Sequence, residues 1–501
     1  MEALSSGEPA INAGTGAERK WIGRLLILLL AAVLRLALLD LRPPHYDEGV
    51  NGYVADHISR EHLYRYHPEI GHGPLPFYLI RASVAVCGHN LWGLRLPGVI
   101  FSLLSVGLCF RFDPMIGRRA ANLAAFITAL SPSLTFVGRT AIGESPFAFF
   151  VLLMLWGALG LVTNRTFWAR CGLVLGAAGA LAVKEVAVLH FAALAVAALG
   201  ATAGFNRDGH SASSRQLHWQ ALWQYAALVS AAALALWLLY TAGGRYPDAL
   251  ARWWLGLKSW RHIGQLEQAK PWHYWLELLA RDEPALCLAA LLLPWLAWQG
   301  GRTARFCAWY SVAVIGAYSA ISYKTPWCLA SLAAALPIAA GLAVTHAGKA
   351  ARMAGGGLAV LLLPLALWHN LRLNLWAHSD PREAQVYAAT SPEIGTLLRV
   401  LQRHAAGTLR GGEVRGKVFA AEPHPLPWLL RDFPHIDYFQ TAARPESCDS
   451  GFVVADAFRL AEIEPQLDAR NYERLPLHWR ADQPPGAVFL HRQVFRARAA
   501  D

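Results

Sequence analysis

Directly after the first long apolar run stands His45-Tyr46-Asp47-Glu48-Gly49, two adjacent carboxylates at the edge of a hydrocarbon-like stretch. Ionisable groups in that position cost desolvation energy, so a chain that keeps them there is a candidate for chemistry. Such a carboxylate can take a proton from a hydroxyl acceptor as a general base, and it can equally hold a divalent cation. As plain structure, the pair would be a solvated loop or a helix cap. Glu144, before Ser145 and Pro146, is a further acid, with capping of the following helix as its bland alternative. Lys184 and Glu185 interrupt another apolar stretch, and Lys324 lies in Tyr323-Lys324-Thr325-Pro326-Trp327. Lysines at the rim of a bilayer sit at the depth of lipid phosphates. The alternatives are snorkelling, or neutralisation of Glu185 by Lys184. His67 and His72 lack the i, i+4 spacing of a helical metal pair, so the sequence leaves any metal unassigned.

The elements that must carry these residues are read from hydropathy. The chain has 501 residues, of which 55% are hydrophobic and only 16% charged. That composition excludes a disordered or collagenous protein and argues against an ordinary soluble enzyme. Apolar runs begin near Trp21, Leu94, Ala120, Pro146, Ala221, Pro284, Phe306, Trp327 and Gly355. The stretch from Cys171 to Gly204 reads as two helices meeting at a polar Lys184–Glu185 turn, which brings the expectation to about 11 crossings. Leu75 to Cys87 is apolar but short and contains Arg81, as an interfacial or re-entrant helix would.

Charge sets the orientation. The net charge is +11, yet residues 375 to 501 hold 15 basic and 16 acidic side chains, leaving 30 and 18 upstream. The excess therefore lies in the hydrophobic part, where the positive-inside rule predicts it and nucleic-acid binding does not. Arg19, Lys20 and Arg24 precede the first span, and alternate loops carry Arg111, Arg118 and Arg119, then Arg165 and Arg170, Arg207 and Arg215, Arg302 and Arg305, and Lys349 and Arg352. The expectation is a multi-pass integral membrane protein with residues 1–18 as a cytoplasmic tail, residues 19–375 as the transmembrane domain and residues 376–501 as an extracytoplasmic α/β domain. Asp47, Glu48, Glu144, Lys184, Glu185 and Lys324 then share the outer face, where water is available.

In the hydrophilic tail, Gln385–Ala389 reads as a strand, and Ser391, Pro392 and Glu393 start a helix whose buried face is Ile394, Leu397, Leu398 and Leu401. Lys417–Ala420, Ile436–Phe439, Phe452–Ala455 and Val488–His491 read as strands, with a helix from Ala457 to Leu467. The alternation predicts a mainly parallel sheet. No GxGxxG or P-loop is present, so a nucleotide site is unsupported. The seven cysteines form no CxxC and no disulfide framework.

In order and spacing, HYDEG (45–49), HGPL (72–75), RLPG (95–98), SPS (131–133), VKE (183–185), YKTPW (323–327), YAATSPE (387–393) and LPWLLRDFP (426–434) resemble the GT-C membrane glycosyltransferases. The resemblance is to the protein mannosyltransferase and lipid A aminoarabinose transferase superfamily, and within it to the flippase-associated glycosyltransferase-like family. It implies a polytopic, mainly α fold and a polyprenyl-phosphate sugar donor, with a hydroxyl acceptor on a protein, lipid or polysaccharide. It further implies Asp47 as the catalytic base with Glu48 supporting it and Glu144 as the second acid. His72, Lys184, Glu185, Tyr323 and Lys324 are the implied substrate-binding set, the two lysines for phosphate. No cofactor follows from it beyond the divalent cation already open at the carboxylates, and its name raises a flippase as partner. Two rival classes stand beside the transferase. One is a non-catalytic protein that binds a lipid-linked sugar or partners a flippase. The other is a secondary transporter, against which the polar groups gather at one face and no inverted repeat of broken helices is visible.

Overall fold

The computed structural model describes residues 13–68, 72–203, 219–266, 269–346, 361–407, 414–440, 447–481 and 483–495. The expectations for residues 1–12, the basic residues Arg207, Arg215, Lys349 and Arg352, and the run starting at Gly355 lie outside them. The architecture is a helical bundle followed by a small sheet-containing tail. Helix α1 (Ala13–Leu36) leads into the short α2 (Tyr46–Asp56), then α3 (Leu75–Cys87) and α4 (Leu91–Phe110). Longer helices follow at Glu144–Thr163, Phe167–Val183, Ala187–Ala203, Trp219–Tyr240 and Arg302–Ala320.

Among the described residues three helices are long and apolar enough to cross a membrane, or five if two bent pairs count as one span each. That length test falls short of the eleven crossings expected from hydropathy. The reason is visible in the elements. Phe167–Val183 and Ala187–Ala203 have 17 residues each, about 26 Å of helix against a hydrocarbon core of about 30 Å. The break between them is the polar turn foreseen at Lys184 and Glu185. Other apolar runs are divided: Arg118–Leu130 and Pro132–Gly138 meet at 63°, and Pro326–Ala333 and Leu336–His346 at 43°. Proline at the start of a helix cannot donate into the preceding turn, so Pro132 begins a new helix. The short α3 has 13 residues, about 20 Å of helix, less than the hydrocarbon core of about 30 Å.

Bundle packing is close between the helices Glu144–Thr163 and Phe167–Val183. Gly157 and Gly176 on Glu144–Thr163 and Phe167–Val183 allow backbone contact: an added Cβ would come within 2.1 Å of Leu173 N and 2.3 Å of Met154 N. One large core joins the two helices to Ala187–Ala203, Arg302–Ala320 and Leu336–His346.

The tail sheet runs in the order β2-β1-β3-β5-β4, with β1 Gly416–Phe419, β2 Ile436–Phe439, β3 Phe452–Ala455, β4 Tyr472–Leu477 and β5 Gly486–His491. β1 pairs in parallel with β2 and β3, whereas β5 is antiparallel to both β3 and β4. The sheet is therefore mixed, not mainly parallel. The missed strand is β4. It alternates buried and outward residues, carries Glu473, Arg474 and Pro476, and lies at the edge, where charge and proline are tolerated. The expected strand over Gln385–Ala389 is instead a 3-10 turn at Ala384–Val386 that runs across the bundle. Tertiary hydrogen bonds hold it there: Gln385 Nε2 donates to Ser133 Oγ at 3.3 Å and Thr390 Oγ1 to Pro44 O at 2.6 Å. The helix predicted after Pro392 forms over Ile394–Gly407 and its apolar stripe enters the tail core with β1, β3 and β5.

Candidate active site around the start of α2

α2 begins with a reciprocal cap. His45 Nδ1 accepts from Asp47 N at 3.0 Å, and Glu48 Oε2 accepts from His45 N at 2.9 Å. Acids in the first turn also suit the positive end of the helix dipole. The adjacent carboxylates then divide. Glu48 is fully buried and binds Arg95 of α4 in a fork, Nε to Oε1 and Nη2 to Oε2 both at 2.8 Å. Ala141 N adds a further donor to Oε1 at 2.9 Å. Burial pushes this carboxyl up, but the Arg95 guanidinium overrides burial and holds it down at about 2. Arg95 in turn donates to the carbonyls of Leu39, Arg42 and Pro43, which closes the turn between α1 and α2.

Asp47 is half-buried, and no described residue hydrogen-bonds its carboxylate. It lies within electrostatic reach of Lys184, Tyr323 and His424. Lys184 terminates Phe167–Val183 with extended backbone and pairs with Glu144. Glu144 is fully buried in the first turn of its helix and also accepts from Ser331 Oγ at 2.5 Å and Cys328 Sγ at 3.6 Å. The structure thus turns Lys184 to Glu144, not to its neighbour Glu185. Glu185 accepts from Tyr66 OH at 2.7 Å through Oε1, while its buried Oε2 has no hydrogen-bond partner among the described residues.

The remaining residues of the expected set fall at different places. Tyr323 is 38% exposed and faces the Asp47–Lys184 region electrostatically. His72 is half-buried; its carbonyl accepts from Tyr64 OH at 3.0 Å, and the adjoining Gly73 N donates to Val183 O at 2.9 Å. Gly73 is required there, since a Cβ would come within 2.2 Å of Ala182 O. Lys324 does not join the group: it is 1% exposed and donates to the carbonyls of Lys270 and Ile321. Its ammonium ties the segment at Lys270 to the end of Arg302–Ala320. No group of three or more His, Cys, Asp and Glu side chains among the described residues is placed to hold a metal ion.

Residues of the YKTPW, YAATSPE and LPWLLRDFP segments, to which the sequence assigned no individual role apart from Tyr323 and Lys324, meet α2. His45 Nε2 contacts Tyr387 O, and its ring meets Trp327 edge to face at 5.2 Å. Pro425 and Trp428 pack onto α2 at Gly49 and Gly52, where an added Cβ would lie 2.4 Å from Pro425 Cβ and 2.5 Å from Trp428 Cδ1. A signal did exist for Arg95, an arginine inside an apolar run, a position that by default marks a partnered or functional group. No local signal marks His424 or Ser331.

The helical bundle with its C-terminal sheet has the fold seen in ArnT and in the oligosaccharyltransferase AglB. Residues 71–208 match the family of dolichyl-phosphate-mannose-protein mannosyltransferases. The fold is similar to that of ArnT from Cupriavidus metallidurans bound to undecaprenyl phosphate, with a TM-score of 0.66 at 15% identity over 95% of this chain and 98% of that one. The same protein in its apo state aligns at 0.65 and 14%, covering 95% and 99%. The archaeal oligosaccharyltransferase AglB from Archaeoglobus fulgidus, in complex with an inhibitory peptide and a dolichol-phosphate, aligns at 0.55 and 11%, covering 94% of this chain and 74% of that one. No curated protein sequence matches.

Proposed function

We propose that this chain is an integral-membrane, inverting glycosyltransferase that moves a sugar from a polyprenyl-phosphate donor to a hydroxyl acceptor at the extracytoplasmic face. The observation that carries this reading is the division of labour at α2: Glu48 is saturated by Arg95, whereas the neighbouring Asp47 keeps an open carboxylate beside the Lys184–Glu144 pair. ArnT and AglB have been seen with lipid phosphates. A polyprenyl phosphate leaves readily, so the site needs a base and a cation more than a strong acid.

In this reaction the acceptor oxygen attacks the anomeric carbon from the face opposite the phosphate, and its proton passes to Asp47. The bond from that carbon to the phosphate oxygen breaks, and its electron pair departs with the lipid phosphate. Lys184 has donors beyond the one given to Glu144 and stabilises that charge. Glu144 fixes the ammonium, Glu48 fixes α2, and Tyr323 stands within electrostatic reach of Asp47 and Lys184. Residues 19–375 form the transmembrane domain in this reading, and 376–501 the extracytoplasmic domain. The exposed apolar side chains of the bundle helices, including Trp21, Leu25, Trp223 and Leu234, suit a lipid surround. Purified protein given a radiolabelled polyprenyl-phosphate sugar is expected to transfer it, and Asp47→Asn to lower transfer by about 10²-fold or more with unchanged melting. Donor binding with no product from either protein overturns the catalytic reading and leaves the non-catalytic one, and equal product from both removes Asp47 from the role of base.

A further inference from the structure

We infer that His45 is a positioning residue for Asp47, the means by which the tail segment 387–390 sets where that carboxylate stands. The inference rests on the transferase reading and extends it: the tail takes part in transfer by placing the base, without touching substrate. Both ring nitrogens of His45 are committed. An amide N–H only donates and a carbonyl only accepts. Nδ1, which accepts from Asp47 N at 3.0 Å, is therefore bare, and Nε2 carries the hydrogen that goes to Tyr387 O. These partners fix the neutral Nε2–H tautomer and leave neither nitrogen for proton transfer in the reaction. One rigid ring thus links the backbone of Asp47 to the backbone of the tail.

The neighbouring residues are tied the same way. Pro44 O accepts from Thr390 Oγ1 at 2.6 Å, and Tyr46 N donates to Ala388 O at 3.5 Å, so three consecutive residues ahead of Asp47 are each bonded to the tail. Trp327 packs across the joint, edge-on to His45 at 5.2 Å and tilted against Tyr387 at 5.3 Å. Ala388 has a φ of 52°, a left-handed conformation that is costly for a residue with a Cβ. Such strain persists where surrounding contacts determine the backbone, and here it falls at the residue whose carbonyl, with that of Tyr387, meets the start of α2. Capping alone would need none of this, because a serine or asparagine satisfies a first-turn amide from its own side chain. What the histidine adds is reach, from the cap to a carbonyl 342 residues later. Arg95 holds α2 on the bundle side through Glu48, and His45 holds it on the tail side.

The test follows release of mannose to water from radiolabelled undecaprenyl-phosphate mannose by the full-length protein, together with hydrogen exchange of peptides spanning α2 and residues 384–390. His45→Phe keeps a ring against Trp327 but removes both nitrogens. It is expected to lower kcat about 10²-fold with KM for the donor unchanged, because a misplaced base affects the chemical step and not binding. His45→Asn can still cap Asp47 N but is too short to reach Tyr387 O as well; it is expected to recover part of the rate, with kcat about tenfold below wild type. In both variants residues 384–390 are expected to lose exchange protection. Wild-type kcat in either variant, or unchanged protection of the tail segment in both, overturns the inference and leaves the transferase reading in place. Release that is equal in wild type and Asp47→Asn removes Asp47 from the role of base, and donor that is bound but never consumed overturns the transferase reading; the inference falls with either.

Discussion

Glu48 and Asp47 show how adjacent, chemically similar side chains acquire different work. The fork to Arg95 is buried at both ends, with side-chain exposures of 0% and 1%. Removing one partner of a buried pair strands the other charge, so Arg95→Ala is expected to destabilise by about 3–5 kcal/mol in a thermal or denaturant melt. Glu48→Gln is expected to reduce transfer by displacing α2, with a fall in melting temperature that Asp47→Asn does not share. The same pair gives a pH dependence. Glu48 titrates lower in the folded protein, at about 2, than in an unfolded chain, at about 4.3. Its stabilisation is therefore fully present above the unfolded value and is lost as pH falls through about 4 toward 2. A melting series from pH 7 to pH 3 should show this loss in wild type and less of it in Glu48→Gln.

At the scale of elements, α2 is clamped between the bundle and the tail. Gly49 and Gly52 leave no room for a methyl group against Pro425 and Trp428. Gly52→Ala is expected to cost about 1–3 kcal/mol by overpacking and to lower transfer in parallel, because it moves the element that carries Asp47. Protease sensitivity of the segment around Trp428 would register the loosening; an unchanged digestion pattern with full activity would show that the clamp is dispensable. On the other side of the site, the break between Phe167–Val183 and Ala187–Ala203 puts Lys184 in extended backbone, where its side chain reaches Glu144 at the start of the preceding helix.

For the whole molecule, the excess of positive charge within the hydrophobic part is the physical basis of the proposed orientation. A reporter active only outside the cytoplasm, fused after residue 501, should be active, and the same reporter in the loop containing Arg165 and Arg170 silent. Reversal of that pair would place Asp47 on the opposite membrane face from the one proposed. The distribution of apolar side chains supports a bilayer setting: Trp168, Leu199, Trp223 and Leu291 are each at least 70% exposed on helices of the bundle. In water such surface would drive association.

Much of this protein was legible in the chain because the governing physics is local. Apolar runs must pair their own backbone groups in lipid, so the helices and the polar turn at Lys184–Glu185 follow from hydropathy. The strands Ile436–Phe439 and Phe452–Ala455 and the start of the helix after Pro392 follow from side-chain pattern and capping. The acids and Lys184 stood out because charge beside hydrocarbon is costly. What local pattern could not decide was partnership. Glu48 is locked and Asp47 open only because Arg95, 47 residues later, forks onto one of them. Lys184 finds Glu144 before its neighbour, and Lys324 turns to backbone carbonyls, because helix ends far apart in sequence meet. The edge strand β4 and the path of Gln385 across the bundle depend likewise on surfaces that exist only once the chain has folded.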